Sequence, residues 1–271
     1  MSGLEELFSV EGKVALVTGG ATGIGRMCAT GLAMGGARVL IASRKAEACA
    51  ATAAEINALG LPGTVEGFGG DVGTEEGVDA LAAEVKGRTD RLDILVNNAG
   101  LSWGESYESF PYKAWARVMD VNVTGLFHLT RQLTGLLDAA ASDEDPARII
   151  NLGSVMGTQP IADGAYSYTA SKAAVHHLTR TLAIEFAERR ITVNAFAPGP
   201  FQSKMTAFAT AGDENAKRIG ARVPLGRIGA PSDIAGATLF LCSRAGAYVT
   251  GCILPLDGGQ SVQHGMSLFK D

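Results

Sequence analysis

The sequence predicts one α/β domain built around a parallel β-sheet. Seven short apolar runs, most of them rich in β-branched residues, recur along the 271 residues, with helix-forming segments between them. A glycine-rich turn follows the first run, and the second run begins within the length of a β-α-β unit. No linker or low-complexity tract interrupts this alternation, so residues 1–271 are expected to form a single domain.

Composition narrows the classes of function. The chain has 23 basic and 28 acidic residues, a formal net charge of −5, which argues against a nucleic-acid-binding surface. Acidic residues stand at the N-terminus, where a signal peptide needs bases, and no apolar run approaches the roughly 18 residues of a membrane helix. We therefore expect a cytoplasmic protein that binds neither nucleic acid nor membrane. The four cysteines and four histidines lack the spacing of a metal site, so none is expected.

The first strand, predicted over residues 13–18, leads into a glycine turn and then a helix over residues 23–34. Gly19, Gly23 and Gly25 would let the backbone approach a pyrophosphate, and the helix start supplies free amide donors. The spacing is G-x3-G-x-G rather than the commoner G-x-G-x-x-G. The alternative is a tight strand-to-helix turn that binds no ligand.

The end of the second strand, residues 38–42, bears on the choice of cofactor. A site for NAD usually has an acidic residue here for the ribose 2′-hydroxyl, whereas a site for NADP lacks the acid and offers an arginine. This chain has Ser43, Arg44 and Lys45. Arg44 could bind a 2′-phosphate with Ser43 as a hydrogen-bonding partner, which favours NADP(H) over NAD(H). Alternatively, Arg44 simply begins the next helix on its solvent side.

The middle of the chain continues the alternation. Helices are predicted over residues 45–59 and from Thr74 to about 89, on either side of a weaker strand over 64–69. A strand at residues 93–100 ends in two asparagines, at the edge where open α/β sheets bind ligands. A long helix over about 112–137 contains Asn122, a poor interior helix residue that is either exposed or needed for a specific hydrogen bond. The acidic loop 142–146 is expected to be solvated.

The last part of the chain carries the residues with the clearest chemistry. Ser154 follows a strand over residues 148–152, and a helix over about 165–189 places Tyr168 and Lys172 four residues apart, on one face. A nearby ammonium favours the phenolate and lowers the pKa of tyrosine, although such pairs are also common on ordinary helix surfaces. A strand over 191–197 ends in a proline-glycine turn, and residues 201–230 are expected to form a mobile, partly helical lid that begins at Phe201. A helix over 232–243 and a strand over 252–256 complete the chain.

Taken in order, the motifs T-G-x3-G-I-G, N-N-A-G, an N-V-x-G asparagine, a serine before Y-x3-K and P-G after the next strand resemble those of the short-chain dehydrogenase/reductase family. The resemblance extends from about residue 12 to residue 259. Within the family, the chain looks most like NADPH-dependent 3-oxoacyl reductases of the type associated with rhamnolipid precursors, an impression to which residues 97–104 contribute.

The resemblance implies a doubly wound Rossmann fold with seven parallel strands in the order 3-2-1-4-5-6-7. It also implies that Tyr168 donates the proton, that Ser154 holds the substrate oxygen and that the main chain of Asn122 holds a water. Lys172 would bind the nicotinamide ribose, and Lys172 together with the cationic ring of the oxidised cofactor would lower the pKa of Tyr168. The implied cofactor-binding residues are Gly19, Gly23, Ile24, Gly25, Ser43, Arg44, Asp71, Val72, Asn98, Gly100, Tyr168, Lys172, Pro198, Gly199 and Ser203. The family habit is a homotetramer, or a dimer, built on the helices that contain Asn122 and Lys172.

Two departures from the family pattern matter. Thr22 stands where many NADP-dependent members have a base, so the preference for NADP depends on Arg44 and Ser43. Reductases that use an acyl carrier protein tend to be basic before the fifth strand, where this chain has acids at 143–145, although Arg189 fits a basic docking position. The expected activity is therefore NADPH-dependent reduction of a ketone, most simply a 3-oxoacyl thioester.

Two alternatives of a different kind stay open. One is an alcohol, sugar or steroid dehydrogenase that runs oxidatively. The other is a cofactor-binding regulator without catalysis, against which the intact set of Asn122, Ser154, Tyr168 and Lys172 argues.

Overall fold

The computed structural model describes residues 3–161, 163–202 and 212–263. It contains a seven-stranded sheet in the order β3-β2-β1-β4-β5-β6-β7, and every neighbouring pair is parallel. The strands are β1 Val14–Thr18, β2 Arg38–Ser43, β3 Thr64–Gly69, β4 Ile94–Asn97, β5 Ala147–Leu152, β6 Ile191–Pro198 and β7 Ile253–Leu256. The predicted strand order is confirmed. Because the chain turns in opposite directions from β1 and β4, a crevice forms between their carboxyl ends.

The helices lie on both faces of this sheet. They are α1 Leu4–Phe8, α2 Gly23–Met34, α3 Ala46–Asn57, α4 Glu75–Lys86, α5 Tyr112–Met119, α6 Gly125–Ala140, α7 Tyr166–Glu185, α8 Asp213–Gly220 and α9 Pro231–Cys242. Alternate residues of each strand point to opposite faces, as the pleat of a strand requires. Val17 and Ile41 pack with α2, α3 and α9 in one core, whereas Leu16 and Leu40 pack with α4, α6 and α7 in the other.

The long helix predicted over 112–137 is interrupted. Between α5 and α6, residues Asp120–Thr124 form a π-helical turn, and α6 continues to Ala140. A π-turn inserts one extra residue into a helix and is frequent at functional sites. The helix predicted over 165–189 is also shorter than expected. After α7 ends, Ala187–Arg189 form a 3-10 turn, and Arg190 has a φ of 56°.

The acidic loop 142–146 is not simply solvated, so that expectation is wrong for Asp145. Its carboxylate lies 2.7 Å from the Lys13 ammonium and 3.1 Å from the Arg148 guanidinium. Arg148 is fully buried at the start of β5, where an unpaired charge would be costly. The backbone carbonyls of Pro146, Leu241 and Ser243 accept its other hydrogen bonds, so the loop, β5 and the end of α9 are joined through one arginine.

Part of the expected lid belongs to the core. Phe201 is only 3% exposed and lies among the apolar residues that pack against α2 and α9. It forms a β-bridge with Gly229, beyond α8. The partly helical character is confirmed by α8. In the described ranges, no helix has both the length and the apolar character needed to cross a membrane.

Candidate active site

The glycine turn after β1 leaves the start of α2 open to an anion. Gly19 and Gly23 have φ values of +66° and +55°, which side chains other than glycine adopt with difficulty. Thr22, the N-cap of α2, makes no side-chain capping bond, and the first turn contains no acid. In α4, by contrast, Thr74 accepts a hydrogen bond from the amide of Gly77. The first amides of α2, including that of Ile24, are therefore available for a phosphate.

The side chain of Asn98 holds the glycine turn against β4. Its Nδ2 donates to the carbonyl oxygens of Thr18 at 2.8 Å and Gly19 at 3.2 Å. In turn, the Thr18 hydroxyl accepts hydrogen bonds from the backbone amides of Asn98 and Ala99, both at 3.0 Å. The sequence predicted Asn98 at the cofactor cleft. In the structure its side-chain amide holds the glycine turn after β1 in place.

Gly25 is required by the same packing. A Cβ built on it would lie 2.4 Å from the Asn98 Nδ2 and 2.4 Å from the Gly19 carbonyl oxygen. Both distances are far below van der Waals contact, so any side chain would push the turn away from the sheet. The glycines at 19, 23 and 25 thus form a cradle that fits a pyrophosphate against the start of α2.

At the end of β2, the two residues expected to bind a 2′-phosphate differ in their surroundings. The Ser43 hydroxyl lies 3.1 Å from the Cys49 sulfur and accepts from the amide of Lys45 at 3.3 Å, so it also shapes the start of α3. Arg44 is exposed, and within the described part of the chain it makes no ion pair or hydrogen bond. A guanidinium that no carboxylate neutralises is free to bind a phosphate.

The loop after β3 lies beside the π-turn. The Asp71 carboxylate accepts from the amide of Gly73 at 2.9 Å, which closes a tight turn. Val72 is buried, and a Cβ on Gly125 would lie 1.9 Å from its carbonyl oxygen. The first residue of α6 must therefore be glycine for this loop to approach. The structure places Asp71 and Val72 at the carboxyl end of the sheet, where the resemblance puts the adenine.

Tyr168, Lys172 and Ser154 are brought together at the carboxyl end of β5. The Ser154 side chain lies close enough to the Tyr168 phenol to lower its pKa. The Lys172 ammonium lies 5.5 Å from the centre of the Tyr168 ring and donates to the Leu152 carbonyl at 2.6 Å. Ser154 itself is held by the amide of Met156, which donates to its hydroxyl at 3.2 Å. The four-residue spacing on α7 predicted that Tyr168 and Lys172 lie together, and the structure shows that Ser154, after β5, lies beside them.

The pKa of Tyr168 has the opposite direction to the one expected. Burial raises the pKa of Tyr168 above its usual value, and the interaction with Ser154 only partly offsets this. Burial also lowers the pKa of Lys172 to about 8. At neutral pH the lysine therefore stays largely charged, although its charge does not outweigh the effect of burial on the phenol. At neutral pH the phenol keeps its proton.

Asn122 is needed for specific hydrogen bonds, which was one of the two alternatives. It lies in the π-turn and is 1% exposed. Its amide donates to the Leu101 carbonyl at 3.0 Å and to the Ser171 hydroxyl at 2.9 Å, and its oxygen accepts from the Leu101 amide at 2.9 Å. The side chain thus joins α7 to the loop after β4. Gly100 lies in the same loop, and a Cβ there would lie 3.2 Å from the Asn122 oxygen.

The end of β6 borders the crevice on the other side. The Gly199 amide, next to Pro198, donates to the Leu256 carbonyl at 3.0 Å. A Cβ at Gly199 would lie 2.8 Å from the Cα of Asp257, so only glycine allows the two loops to meet. Ser203, expected on the nicotinamide side, lies outside the described residues.

One residue of the site was missed in the sequence. His176 is buried directly behind Ser154, whereas its neighbour His177 is exposed on the other side of α7. The signal was present, because His176 continues the four-residue spacing of Tyr168 and Lys172 along one helix face.

Comparisons with known proteins agree with this geometry. A family model described as Enoyl-(Acyl carrier protein) reductase matches residues 19–261. The rhamnolipids biosynthesis 3-oxoacyl-(acyl-carrier-protein) reductase of Pseudomonas aeruginosa is 46% identical over 252 residues, which cover 93% of this chain and 97% of that protein. Galactitol 2-dehydrogenase (L-tagatose-forming) of Cereibacter sphaeroides is 39% identical over 259 residues, covering 94% and 98%. A solved structure, the Pseudomonas aeruginosa RhlG/NADP active-site complex, superposes with a TM-score of 0.90 at 45% identity and covers 94% of this chain and 99% of its own.

Proposed function

The chain belongs to the short-chain dehydrogenase/reductase family, and from that premise we propose that it reduces the ketone of a 3-oxoacyl thioester to a secondary alcohol with NADPH. The observation that carries this proposal is that Tyr168, Ser154 and Lys172 lie together at the carboxyl end of β5. The 3-oxoacyl-(acyl-carrier-protein) reductase that is 46% identical supports the substrate class.

The residues present fit NADP(H). The glycine cradle and the uncapped start of α2 would hold the pyrophosphate, and Arg44, which has no ion-pair partner among the described residues, would hold the 2′-phosphate. Lys172 would bind the nicotinamide ribose. When bound, the reduced cofactor supplies a hydride to the carbonyl carbon.

Tyr168 is suited to be the acid of the reductive reaction. Because burial raises its pKa, the phenol carries a proton at neutral pH and can give it to the alkoxide that develops on the substrate. The Ser154 hydroxyl lies beside it and would hold the same substrate oxygen by a hydrogen bond. Lys172, whose pKa of about 8 leaves it largely charged at neutral pH, would stabilise the phenolate after the proton has left.

Aromatic side chains cluster where the loop after β4 meets the start of α7, and such a cluster suits an acyl chain better than a polyol. Tyr166 makes edge-to-face contacts with Tyr107 at 5.8 Å and Phe110 at 5.4 Å between ring centres. The amide of Glu105 donates to the Gly164 carbonyl at 3.2 Å, which ties the loop after β4 to the loop before α7. An acyl chain that lay against these two loops would meet ring faces and edges.

A small carrier such as coenzyme A suits the surface better than an acidic carrier protein. Arg189, the base in the docking position, is paired with Asp138, and its Nε lies 2.9 Å from the carboxylate. Arg190 is paired with Asp143. Because both guanidiniums already have carboxylate partners, an acidic partner would have to displace these ion pairs.

The test is a substrate comparison followed by absorbance of NADPH. We expect turnover with a 3-oxoacyl-coenzyme A, slower turnover with the same acyl group on acyl carrier protein, and the least turnover with a keto-sugar. Tyr168→Phe should abolish turnover while NADPH still binds, because only the hydroxyl is lost. Tyr166→Phe is the matched control and should retain activity. A keto-sugar preferred over both thioesters, or activity retained by Tyr168→Phe, would refute the proposal.

A second candidate is a sugar-alcohol dehydrogenase, which the relative that is 39% identical favours. The same panel, run with galactitol and NADP or NAD, distinguishes it from the reductase. Oxidation of the polyol at a higher kcat/KM than reduction of the 3-oxoacyl substrate would establish this second function.

We also propose that the chain acts as one domain and assembles as a homotetramer in the cytoplasm. One sheet extends through the described residues, and apolar side chains are exposed on α5, α6 and α7, among them Trp115, Phe127 and Ile184. The buried thiols of Cys28, Cys49 and Cys242 suit a reducing compartment. Light scattering after size-exclusion chromatography would give four times the 28.0 kDa mass of one chain. A mass of one chain would refute the assembly.

A further inference from the structure

A buried histidine lies behind the loop that carries Ser154. His176 is 4% exposed and lies one helical turn beyond Lys172 on α7. The backbone amide of Ser154 donates to its Nε2 at 3.4 Å, and its Nδ1 lies 3.3 Å from the Thr158 hydroxyl. Both distances are at the long end of the hydrogen-bonding range. One imidazole therefore contacts both ends of the short turn between residues 154 and 158.

The backbone around the imidazole shows that this contact is close. A Cβ built on Gly153 would lie 2.2 Å from the His176 Nε2, and one built on Gly157 would lie 2.7 Å from its Cε1. Neither position has room for a side chain while the histidine is present. The ring thus packs directly on the main chain before and after Ser154.

The charges around His176 fix its protonation state. Burial and the cationic side chains of Arg180 and Lys172 lower its pKa to about 4, so the ring is neutral at neutral pH. Because Nε2 accepts a hydrogen bond from the Ser154 amide, the single ring proton belongs on Nδ1. The Thr158 hydroxyl is then the acceptor for that proton.

We propose that His176 is a positioning residue that holds the Ser154 loop on α7, so that the serine hydroxyl and Tyr168 face the same substrate oxygen. The inference rests on the proposed reductase function for its kinetic consequences. Ser154 and Tyr168 belong to different elements, and their mutual distance depends on what joins those elements. His176 joins them from behind, on the same helix face as Tyr168 and Lys172.

Substitutions at position 176 distinguish two roles of the side chain, accepting a hydrogen bond from the Ser154 amide and filling space behind the loop. The Gln side chain can place its oxygen near the Nε2 position, whereas Asn is too short to reach the Ser154 amide and Leu has no acceptor. We expect His176→Leu and His176→Asn to lower kcat by about 10- to 100-fold, since a shift of about 1 Å in a catalytic group can cost that much. The KM and the NADPH Kd should stay within about twofold, and His176→Gln should recover most of kcat. His177→Leu is the matched exposed control and should behave like the unmodified protein.

Two readouts test the contact without turnover. The imidazole nitrogens, followed by NMR between about pH 5 and pH 9, should show a neutral ring protonated on Nδ1. Hydrogen exchange of the peptide around Ser154 should be faster in His176→Leu and His176→Asn than in His176→Gln. Thr158→Val, which removes only the partner of Nδ1, should show a smaller change in the same direction.

Equal kcat in the Gln and Asn variants, equal exchange around Ser154 in both, or a ring protonated on Nε2 would each overturn the proposal. If His176→Leu does not fold, the comparison of Gln with Asn still decides it. If the unmodified protein reduces no carbonyl compound, the proposed function has failed, and the NMR and exchange measurements still decide the role of His176.

Discussion

The free guanidinium of Arg44 allows a quantitative prediction of cofactor preference. It stands at the end of β2, exposed and without a carboxylate partner in the described part of the chain, and the nearest acid along α3 is Glu47. A hydrogen bond to a charged group contributes about 1.5–3 kcal/mol. Because Arg44 is exposed, solvent screening places it at the low end, about 1.5 kcal/mol, which corresponds to about tenfold in Kd.

Arg44→Ala should therefore raise the Kd of NADPH about tenfold and leave that of NADH within about twofold. Fluorescence titration with each reduced cofactor at one fixed ionic strength measures both constants. The ratio of kcat/KM for the two cofactors should shift by the same factor. Raising the salt concentration should weaken NADPH binding more in the unmodified protein than in the variant.

Lys45→Ala is the control for this experiment. Lys45 is the next residue, is also exposed, and its loss changes the net charge by the same amount. It should alter NADPH binding much less than the loss of Arg44. If both variants lost the same affinity for NADPH, Arg44 would contribute only general positive charge. If Arg44→Ala lost the same affinity for NADPH and NADH, Arg44 would not bind the 2′-phosphate.

Three further predictions follow from the site. Asn122→Ala should lower the free energy of unfolding by about 2–4 kcal/mol, because it removes one buried and two part-buried hydrogen bonds and leaves the amide and carbonyl of Leu101 without these partners. Urea denaturation measures this, and a loss below about 1 kcal/mol would contradict it. Gly25→Ala should weaken NADPH binding at least about tenfold, since the new Cβ would lie 2.4 Å from a backbone carbonyl oxygen of the preceding turn, whereas Gly135→Ala, with open space around it, should bind normally. Ultraviolet titration of the cofactor-free protein should show no tyrosinate from Tyr168 at neutral pH, because burial raises its pKa. A tyrosinate signal at neutral pH that is present in the unmodified protein and absent from Tyr168→Phe would contradict the direction of that pKa shift.

Much of the fold could be predicted from the sequence because its signals are local. Most of the seven strands are short apolar runs that end at or next to glycine, asparagine or proline, residues that favour turns. The family motifs then gave the strand order, which the sheet confirms. The π-turn at Asn122 could not be seen, because the residues on both sides of it have the pattern of an ordinary helix.

The catalytic candidates were also visible, since a spacing of four along a helix puts Tyr168 and Lys172 on one face whatever surrounds them. Their surroundings were less predictable. The expectation that Lys172 lowers the pKa of Tyr168 considered only the distance between them, whereas in the folded chain burial acts on both groups and raises the pKa of the phenol. The loss of water around a group depends on every element packed against it.

The sequence by itself thus determined the fold class, the glycine turn, and the side chains that carry the chemistry, all of which follow from spacing within one strand or helix. Only the tertiary structure decided what those side chains contact. It showed that Asn98 binds the turn, that Asp145 neutralises a buried arginine, and that His176 lies behind Ser154. Each of these contacts joins residues from different elements, and such pairings are fixed by how the elements pack rather than by their order along the chain.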